Sequence, residues 1–392
     1  MRSARFLTTL SLPALMLASC TNAQMGETTQ ASGEISAANG SATPFRSSEV
    51  ATFEEPWALA FAPGTAMLFV TEKSGALKLV DTASGQIATV SGTPTVDYGG
   101  QGGLGDIAFL PSQAAATIGS RTIYLSWAEA GDGDTRGAAV GKGTLNCAQP
   151  TTCTIEGLNV IWRQTPKVSG RGHYSHRLSI SPDGKYLYVA SGERQKMQPA
   201  QDTSNTLGSI VRLNLDGTPA AGNPMADKGG ASAEIWSWGH RNILGMDWDA
   251  QGRLWEVEHG PAGGDELNLV QRAANYGWPV RSNGDHYNGD PIPDHSADDG
   301  FAKPAAFWNP VIAPGDMLIY TGDMFAGWKG HALMTGLATQ ALIDVAITGE
   351  NAREVARHGF ENRLRAIAQG PDGAIWIAED GKGAKLVKLT AR

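Results

Sequence analysis

One phrase recurs along this chain and limits its fold more than anything else: strand, tight turn, strand. It is WALAFAPGTAMLFVTEKSGALKLVD at 57–81, LSISPDGKYLYVASGE at 178–193, MDWDAQGRLWEVEHG at 246–260 and IAQGPDGAIWIAEDGKGAKLVKL at 367–389. The turns Pro182-Asp183-Gly184 and Pro371-Asp372-Gly373 supply the backbone angles of a tight hairpin, with alternating apolar residues on either side. Amphipathic helical patterns are scarce. Hairpins repeated at intervals of tens of residues predict an all-β protein built as a β-propeller, each small sheet being one blade around a central axis. A β-sandwich is the alternative, but its turns usually recur without a shared phrase. No linker interrupts 47–392, so that stretch reads as one domain, and 41% hydrophobic residues supply a sizeable core. The 49 glycines follow no three-residue period, which excludes collagen.

The N-terminus reads as an address. Arg2 and Arg5 precede an apolar run from Phe6 to Leu17 that is short for a bilayer span, the pattern of an export signal over 1–20. The phrase Leu17-Ala18-Ser19-Cys20 resembles a bacterial lipobox, which implies lipidation of Cys20 and a periplasmic protein anchored to the outer membrane. Thr21 in place of Asp gives no signal for inner-membrane retention. An ordinary signal peptide cut near Ala23 is the alternative. Residues 21–46, rich in Ser, Thr, Gly, Ala and Gln, read as a flexible tether. In an oxidising compartment Cys147 and Cys153 are expected to close a disulfide, the alternative being two free surface thiols. With 31 Lys+Arg against 39 Asp+Glu the net charge is −8, a poor match for nucleic acid or anionic lipid, so membrane contact is expected through the anchor only.

Chemistry gathers in four places. Tyr98-Gly99-Gly100-Gln101-Gly102-Gly103-Leu104-Gly105-Asp106 lets backbone approach a flat ligand, with Gln101 offering amide donors and an acceptor; a surface loop is the plain alternative. Gly170-Arg171-Gly172-His173-Tyr174-Ser175-His176-Arg177 leads into a strand that ends at Glu193. A histidine before a strand can be a general base oriented by such a carboxylate, although either His173 or His176 can equally be structural. The third place holds Trp238-Gly239-His240-Arg241-Asn242 and Glu258-His259-Gly260-Pro261-Ala262-Gly263-Gly264-Asp265-Glu266. Its acidic groups and tight loop suit an oxygen cage for Ca²⁺, without EF-hand spacing. In the fourth, Arg363-Leu364-Arg365, alternation puts two guanidiniums on one face, suited to carboxylates or else solvated.

Taken together, GQGGLGDIAF, H-x-x-x-RL before SPDG, EIWSWGHRN, EHGPAGGDE, NYGWP and IAPGDMLIYTGDMFAGWKG resemble the glucose/sorbosone dehydrogenases that use pyrroloquinoline quinone (PQQ), over nearly all of 47–392. The resemblance implies a six-bladed β-propeller that oxidises the anomeric hydroxyl of aldose sugars to lactones, with PQQ and Ca²⁺ as cofactors and a further, unidentified electron acceptor. It places the catalytic base at His173, since His176 stands where relatives usually have Gly, with Glu193 as its supporting carboxylate. Gln101, Arg241 and Asn242 match quinone contacts, Arg241 also stabilising the growing oxyanion. Arg363 and Arg365 match the pair that holds the cofactor's carboxylates. The carbonyls of Gly260 and Pro261 match ligands of the quinone-bound calcium, and Asp265 with Glu266 resembles the acidic pair of a neighbouring calcium site.

One position departs from the pattern. Relatives carry Lys or Arg after the Gly-Leu pair, where this chain has Ala338 after Gly336-Leu337. Loss of that charge-assisted contact costs about 1.5–3 kcal/mol of cofactor binding. It leaves open a non-redox lactone-processing enzyme, or a ligand-binding lipoprotein, on the same scaffold.

Overall fold

The computed structural model describes residues 43–392; the leader at 1–20 with Cys20, and all but the end of the tether at 21–46, lie outside the described residues. The chain is a six-bladed β-propeller of antiparallel four-stranded sheets. From the inside outward, the first blade is Pro56–Phe61, Met67–Glu72, Leu77–Asp81 and Ile87–Val90, and the second Leu104–Phe109, Ser120–Ala130, Arg136–Gln149 and Thr152–Arg163. The third is Ser175–Ile180, Tyr186–Ser191, Ser209–Asn214 and Ile235–Trp238, and the fourth Ile243–Trp248, Leu254–Glu258, Asp265–Leu269 and Ala306–Trp308. The fifth is Pro314–Ile319, Ala332–Gly336, Ala341–Thr348 and Asn351–Gly359. The sixth takes three strands from the C-terminus, Leu364–Gln369, Ile375–Glu379 and Ala384–Ala391, and its outer strand, Phe45–Phe53, from the N-terminal end. That strand pairs Phe45 with Ala391, so the propeller begins two residues ahead of the boundary read at 47. Each inner strand packs on the next, and the sixth packs on the first, which closes the ring.

Side-chain alternation explains why the strands read as nearly continuous apolar runs. In Tyr186–Ser191, Leu187 and Val189 join the cluster shared with the second blade, while Tyr188 and Ala190 join the cluster shared with the fourth. In Ile375–Glu379, Ile375 and Ile377 face the fifth blade and Trp376 and Ala378 the first. Every interface between neighbouring blades has its own cluster of this kind. A blade is therefore buried on both faces, unlike a sandwich sheet with one wet side. Each fully buried Leu, Ile or Phe contributes about 1.5–3 kcal/mol.

The inner strands also carry carboxylates that link one blade to the next. Asp106 accepts the Leu178 amide at 2.8 Å, Asp247 that of Ile319 at 2.7 Å, and Asp316 that of Ile367 at 3.2 Å. Arg177 lies 3.5 Å from Asp106 and 3.4 Å from Asp316, with its guanidinium 4.0 Å from the Trp57 ring centre. Cys147 and Cys153, opposite one another on the two outer strands of the second blade, are joined as a disulfide.

The hairpin turns at Ser181–Gly184, Asp249–Gly252 and Gly370–Gly373 close the far ends of the inner strands. The opposite end of the ring gathers the segments that precede inner strands and those that follow second strands. Gln101, His173, Arg241, Asn242 and Arg363 belong to the first kind, and Lys73, Glu193, Gly260 and Asp380 to the second.

Candidate active site

At that end of the ring, His173 is held at its backbone and at its ring. Its backbone N–H donates to Gln101 Oε1 at 2.7 Å, and its Nδ1 meets Glu193 Oε1 at 2.5 Å. The other Glu193 oxygen accepts the Met197 amide at 2.6 Å. Packing here leaves no room for a side chain at Gly192, where a Cβ would sit 2.1 Å from the His173 carbonyl oxygen. His173 itself has φ +48° and Ser175 φ +55°, an uncommon conformation for residues with a Cβ and one that clusters at functional sites.

Burial is the largest influence on His173 and pushes its pKa below the ordinary histidine value; Glu193 opposes it, and Arg241 and Arg194 reinforce it. Burial alone would raise the Glu193 carboxyl, but His173, the Met197 amide and Arg241 together hold it below the usual carboxylate value. The imidazole is therefore neutral and the carboxylate charged at neutral pH. With Nδ1–H donated to Glu193, Nε2 carries the lone pair of a general base.

His176, three residues on, is different. Its ring stacks on Trp57 at 4.6 Å and its Nδ1 lies 3.1 Å from Ser126 Oγ. Burial first, then Arg177 and Arg194, push its pKa down to about 3. It is a neutral, packed ring beneath the site.

The cavity beside this pair has a volume of about 200 Å³; its lining includes Lys73, Gln101, His176, Asn242, Arg363 and Arg365. Tyr174 and Ser175, which follow His173 in the chain, line it as well, whereas His173 itself does not and Arg241 lines a smaller neighbouring cavity with Glu258, His259 and Gly260. No carboxylate lines the larger cavity among the described residues. Asp380 holds the two arginines side by side, accepting Arg363 Nε at 2.9 Å on one oxygen and Arg365 Nε at 2.8 Å on the other. Arg365 is mostly buried and Arg363 half-exposed.

Arg241 and Asn242 are fixed by Glu258, which accepts both backbone amides, at 2.5 Å and 3.2 Å. The Arg241 side chain donates to the His259 carbonyl at 3.2 Å and to the Tyr287 hydroxyl at 3.1 Å, while its buried Nε has no partner. A buried guanidinium proton without an acceptor is costly unless a ligand accepts it. The paired-arginine wall, with Gln101 and Asn242 in the same cavity, fits a flat anionic cofactor such as PQQ.

The loop expected to carry calcium ligands is present, with one rearrangement. Gly260 and Pro261 line another cavity of about 320 Å³ with Tyr287 and Asn309. A Cβ at Gly260 would sit 2.2 Å from the Gly263 carbonyl oxygen, so the turn requires glycine. Asp265 is occupied in holding this loop: one oxygen accepts the Gly260 amide at 2.8 Å and the other the amides of Ile312 and Ala313 at 2.8 and 2.6 Å. Burial pushes its pKa up to about 6.

Glu266, the next residue in the strand, faces the other way, because neighbouring strand residues alternate. It accepts from Asn268 at 3.2 Å and joins Glu256 and Glu258 in a buried acidic group. The two carboxylates read together in the sequence therefore have separate partners, Asp265 in the loop and Glu266 in the acidic group. Glu266 has new companions. His240, Glu256 and Glu258 place ligand atoms within 4.8 Å of one another, and Glu256 Oε2 and Asn268 Oδ1 are buried without partners. Burial and mutual repulsion push Glu256 and Glu266 above the carboxylate range, and the two glutamates at His240 hold that histidine up, against burial, to about 9. Unpartnered oxygen donors of this kind fit a hard cation such as Ca²⁺. The sequence reading missed this cluster. Its trace was polar residues at alternate positions, Glu256 and Glu258 against Glu266 and Asn268, in strands otherwise apolar; the register pairs Glu256 with Asn268 and Glu258 with Glu266.

Comparison with known proteins agrees with this geometry. The sequence model of the glucose/sorbosone dehydrogenase family matches residues 53–388. The chain is 35% identical over 345 residues to an aldose sugar dehydrogenase of Escherichia coli, covering 86% of this chain and 91% of the relative. Among solved structures, the apo-form of the soluble aldose sugar dehydrogenase from Escherichia coli matches with a TM-score of 0.81 at 33% identity, covering 89% of this chain and 100% of that one. The PQQ-bound aldose sugar dehydrogenase from Streptomyces coelicolor matches with a TM-score of 0.71 at 25% identity, covering 90% and 100%.

Proposed function

The chain belongs to the glucose/sorbosone dehydrogenase family and is a sugar-oxidising oxidoreductase, and on that premise we propose that it oxidises the anomeric hydroxyl of aldoses to lactones with PQQ and Ca²⁺ as cofactors. The observation that carries this reading is the neutral His173, held by a charged Glu193 and followed in the chain by Tyr174 and Ser175, which line a cavity whose charged lining is entirely cationic.

His173 Nε2 takes the proton of the anomeric hydroxyl. Glu193 fixes the tautomer that leaves Nε2 free and stabilises the imidazolium once the proton arrives. Arg241 offers a fixed positive charge in a water-poor setting, where it stabilises negative charge more than it would in water. Arg363 and Arg365 would hold the cofactor's carboxylates, Gln101, Arg241 and Asn242 its polar edge, and the carbonyls of Gly260 and Pro261 the calcium beside it. When bound, the quinone supplies acceptance of two electrons with the hydrogen of C1, and the calcium supplies Lewis acidity. Glu256 and Glu258, with Glu266 beside them, would hold a second cation. The electrons then leave to an acceptor outside this chain.

Export is part of the same proposal: residues 1–20 direct the chain to the periplasm, and lipid on Cys20 holds it at the outer membrane. Release of a Cys20→Ser protein from the membrane fraction is the expected result, and a soluble wild-type protein lacking Cys20 would overturn it.

Apo-protein given PQQ and Ca²⁺ tests the activity, by dye reduction with a panel of aldoses. Turnover that needs both additions is expected. Lactone hydrolysis without dye reduction, or quinone binding without turnover, would replace this reading by one of the two alternatives.

A further inference from the structure

The cationic cavity contains one charge that neither the family phrases nor the mechanism uses. Lys73 follows the strand Met67–Glu72 of the first blade, next to the sixth blade that carries Arg363 and Arg365, and it lines the same cavity. Its ammonium donates to the Gly100 carbonyl at 2.9 Å and lies 3.4 Å from Glu55 Oε1. An ammonium has three protons, so one is left for a ligand.

The position of Lys73 is tightly specified. Its backbone carbonyl accepts the Leu104 amide at 3.0 Å, and its own amide donates to the Glu55 carbonyl at 3.0 Å. At Gly103 a Cβ would sit 2.1 Å from the Lys73 carbonyl oxygen. The side chain is 18% exposed, with its stem packed and its ammonium at the open edge of the cavity. Glu55 neutralises it incompletely, because the contact is long and its second oxygen accepts the Tyr98 hydroxyl.

We propose that Lys73 is the third cation of the cofactor cradle, binding a carboxylate of the bound quinone alongside Arg363 and Arg365. The proposal rests on the PQQ reading above. Its plain rival is a strut, in which Lys73, Glu55 and Gly100 merely pin two loops together. The two accounts differ in sign at Glu55. A cradle cation gains when its competing carboxylate is neutralised, whereas a strut is broken from either end.

The test is equilibrium titration of apo-protein with PQQ at fixed Ca²⁺, read by quenching of tryptophan fluorescence at two salt concentrations, with thermal melting as a control. Lys73→Met is expected to weaken binding about tenfold, and more at low salt than at high, the loss of one partly screened ion contact. Glu55→Gln is expected to bind PQQ as tightly as the parent or a few-fold tighter. Parent affinity in Lys73→Met would overturn the proposal, and so would equal weakening in both variants with a lowered melting temperature. Failure of the parent protein itself to bind PQQ would overturn the cofactor reading and Lys73's part in it together.

Discussion

Replacing Glu193 by Gln keeps the shape of the side chain and removes its charge. The carboxylate sits between two donors, His173 Nδ1–H at 2.5 Å and the Met197 amide at 2.6 Å, and accepts from both. A glutamine amide has one oxygen, so it satisfies one donor and turns its NH₂ toward the other. If the oxygen faces His173, the imidazolium loses a charged partner worth about 1.5–3 kcal/mol, a factor of roughly 10 to 150 in rate. If the NH₂ faces His173, the ring must carry its proton on Nε2 and the base is lost, a larger defect. The pH profile moves in a defined direction. Glu193 is the group that opposes the downward shift of His173, so its neutralisation lowers that pKa further and moves the acid limb of kcat/KM to lower pH. The assay is dye reduction against pH at saturating PQQ and Ca²⁺, with quinone affinity measured separately. Unchanged kcat/KM and an unmoved acid limb would refute the pairing of base and carboxylate.

His173→Ala should lower turnover by about 10² to 10⁴ while retaining quinone binding; His176→Ala, measured alongside, should be far milder in turnover because that ring is stacked on Trp57 and has no carboxylate partner. Ala338→Lys should tighten PQQ binding by about 1 kcal/mol, roughly fivefold in a titration at fixed Ca²⁺, since Ala338 is exposed beside Leu337, which lines the cavity. Leu187→Ala, at the interface of the second and third blades, should destabilise the fold by about 2–5 kcal/mol in denaturant unfolding without altering the site.

The hairpin phrase was legible because a Pro-Asp-Gly turn writes its backbone angles into the residues themselves. Blade number was not legible from the phrase. The second blade uses the long strands Ser120–Ala130 and Arg136–Gln149 without that turn, and the sixth takes its outer strand from 45–53, hundreds of residues from its partner. At the site, the resemblance pointed to Gln101, His173, Arg241, Asn242, Arg363 and Arg365, and the ring puts them at one end of the propeller because each precedes or begins an inner strand. Arg363 and Arg365 do lie together, although Arg363 precedes the strand and the register shifts at Arg365, because one carboxylate, Asp380, holds both. Strand alternation does act at Asp265 and Glu266, whose side chains leave opposite faces of Asp265–Leu269. The acidic cluster at Glu256, Glu258 and Glu266 depends on cross-strand register, which a single sequence does not display. Lys73 reaches the cavity because the first blade closes on the sixth, a contact between the two ends of the chain.

The central claim is that this site removes hydrogen from the anomeric carbon of an aldose. Glucose carrying deuterium at C1, given to apo-protein reconstituted with PQQ and Ca²⁺, tests it most directly. The account predicts slower dye reduction than with unlabelled glucose whenever bond cleavage limits the rate, and a lactone product from which the C1 deuterium has been lost. Dye reduction that yields a product with deuterium still on C1 would contradict it.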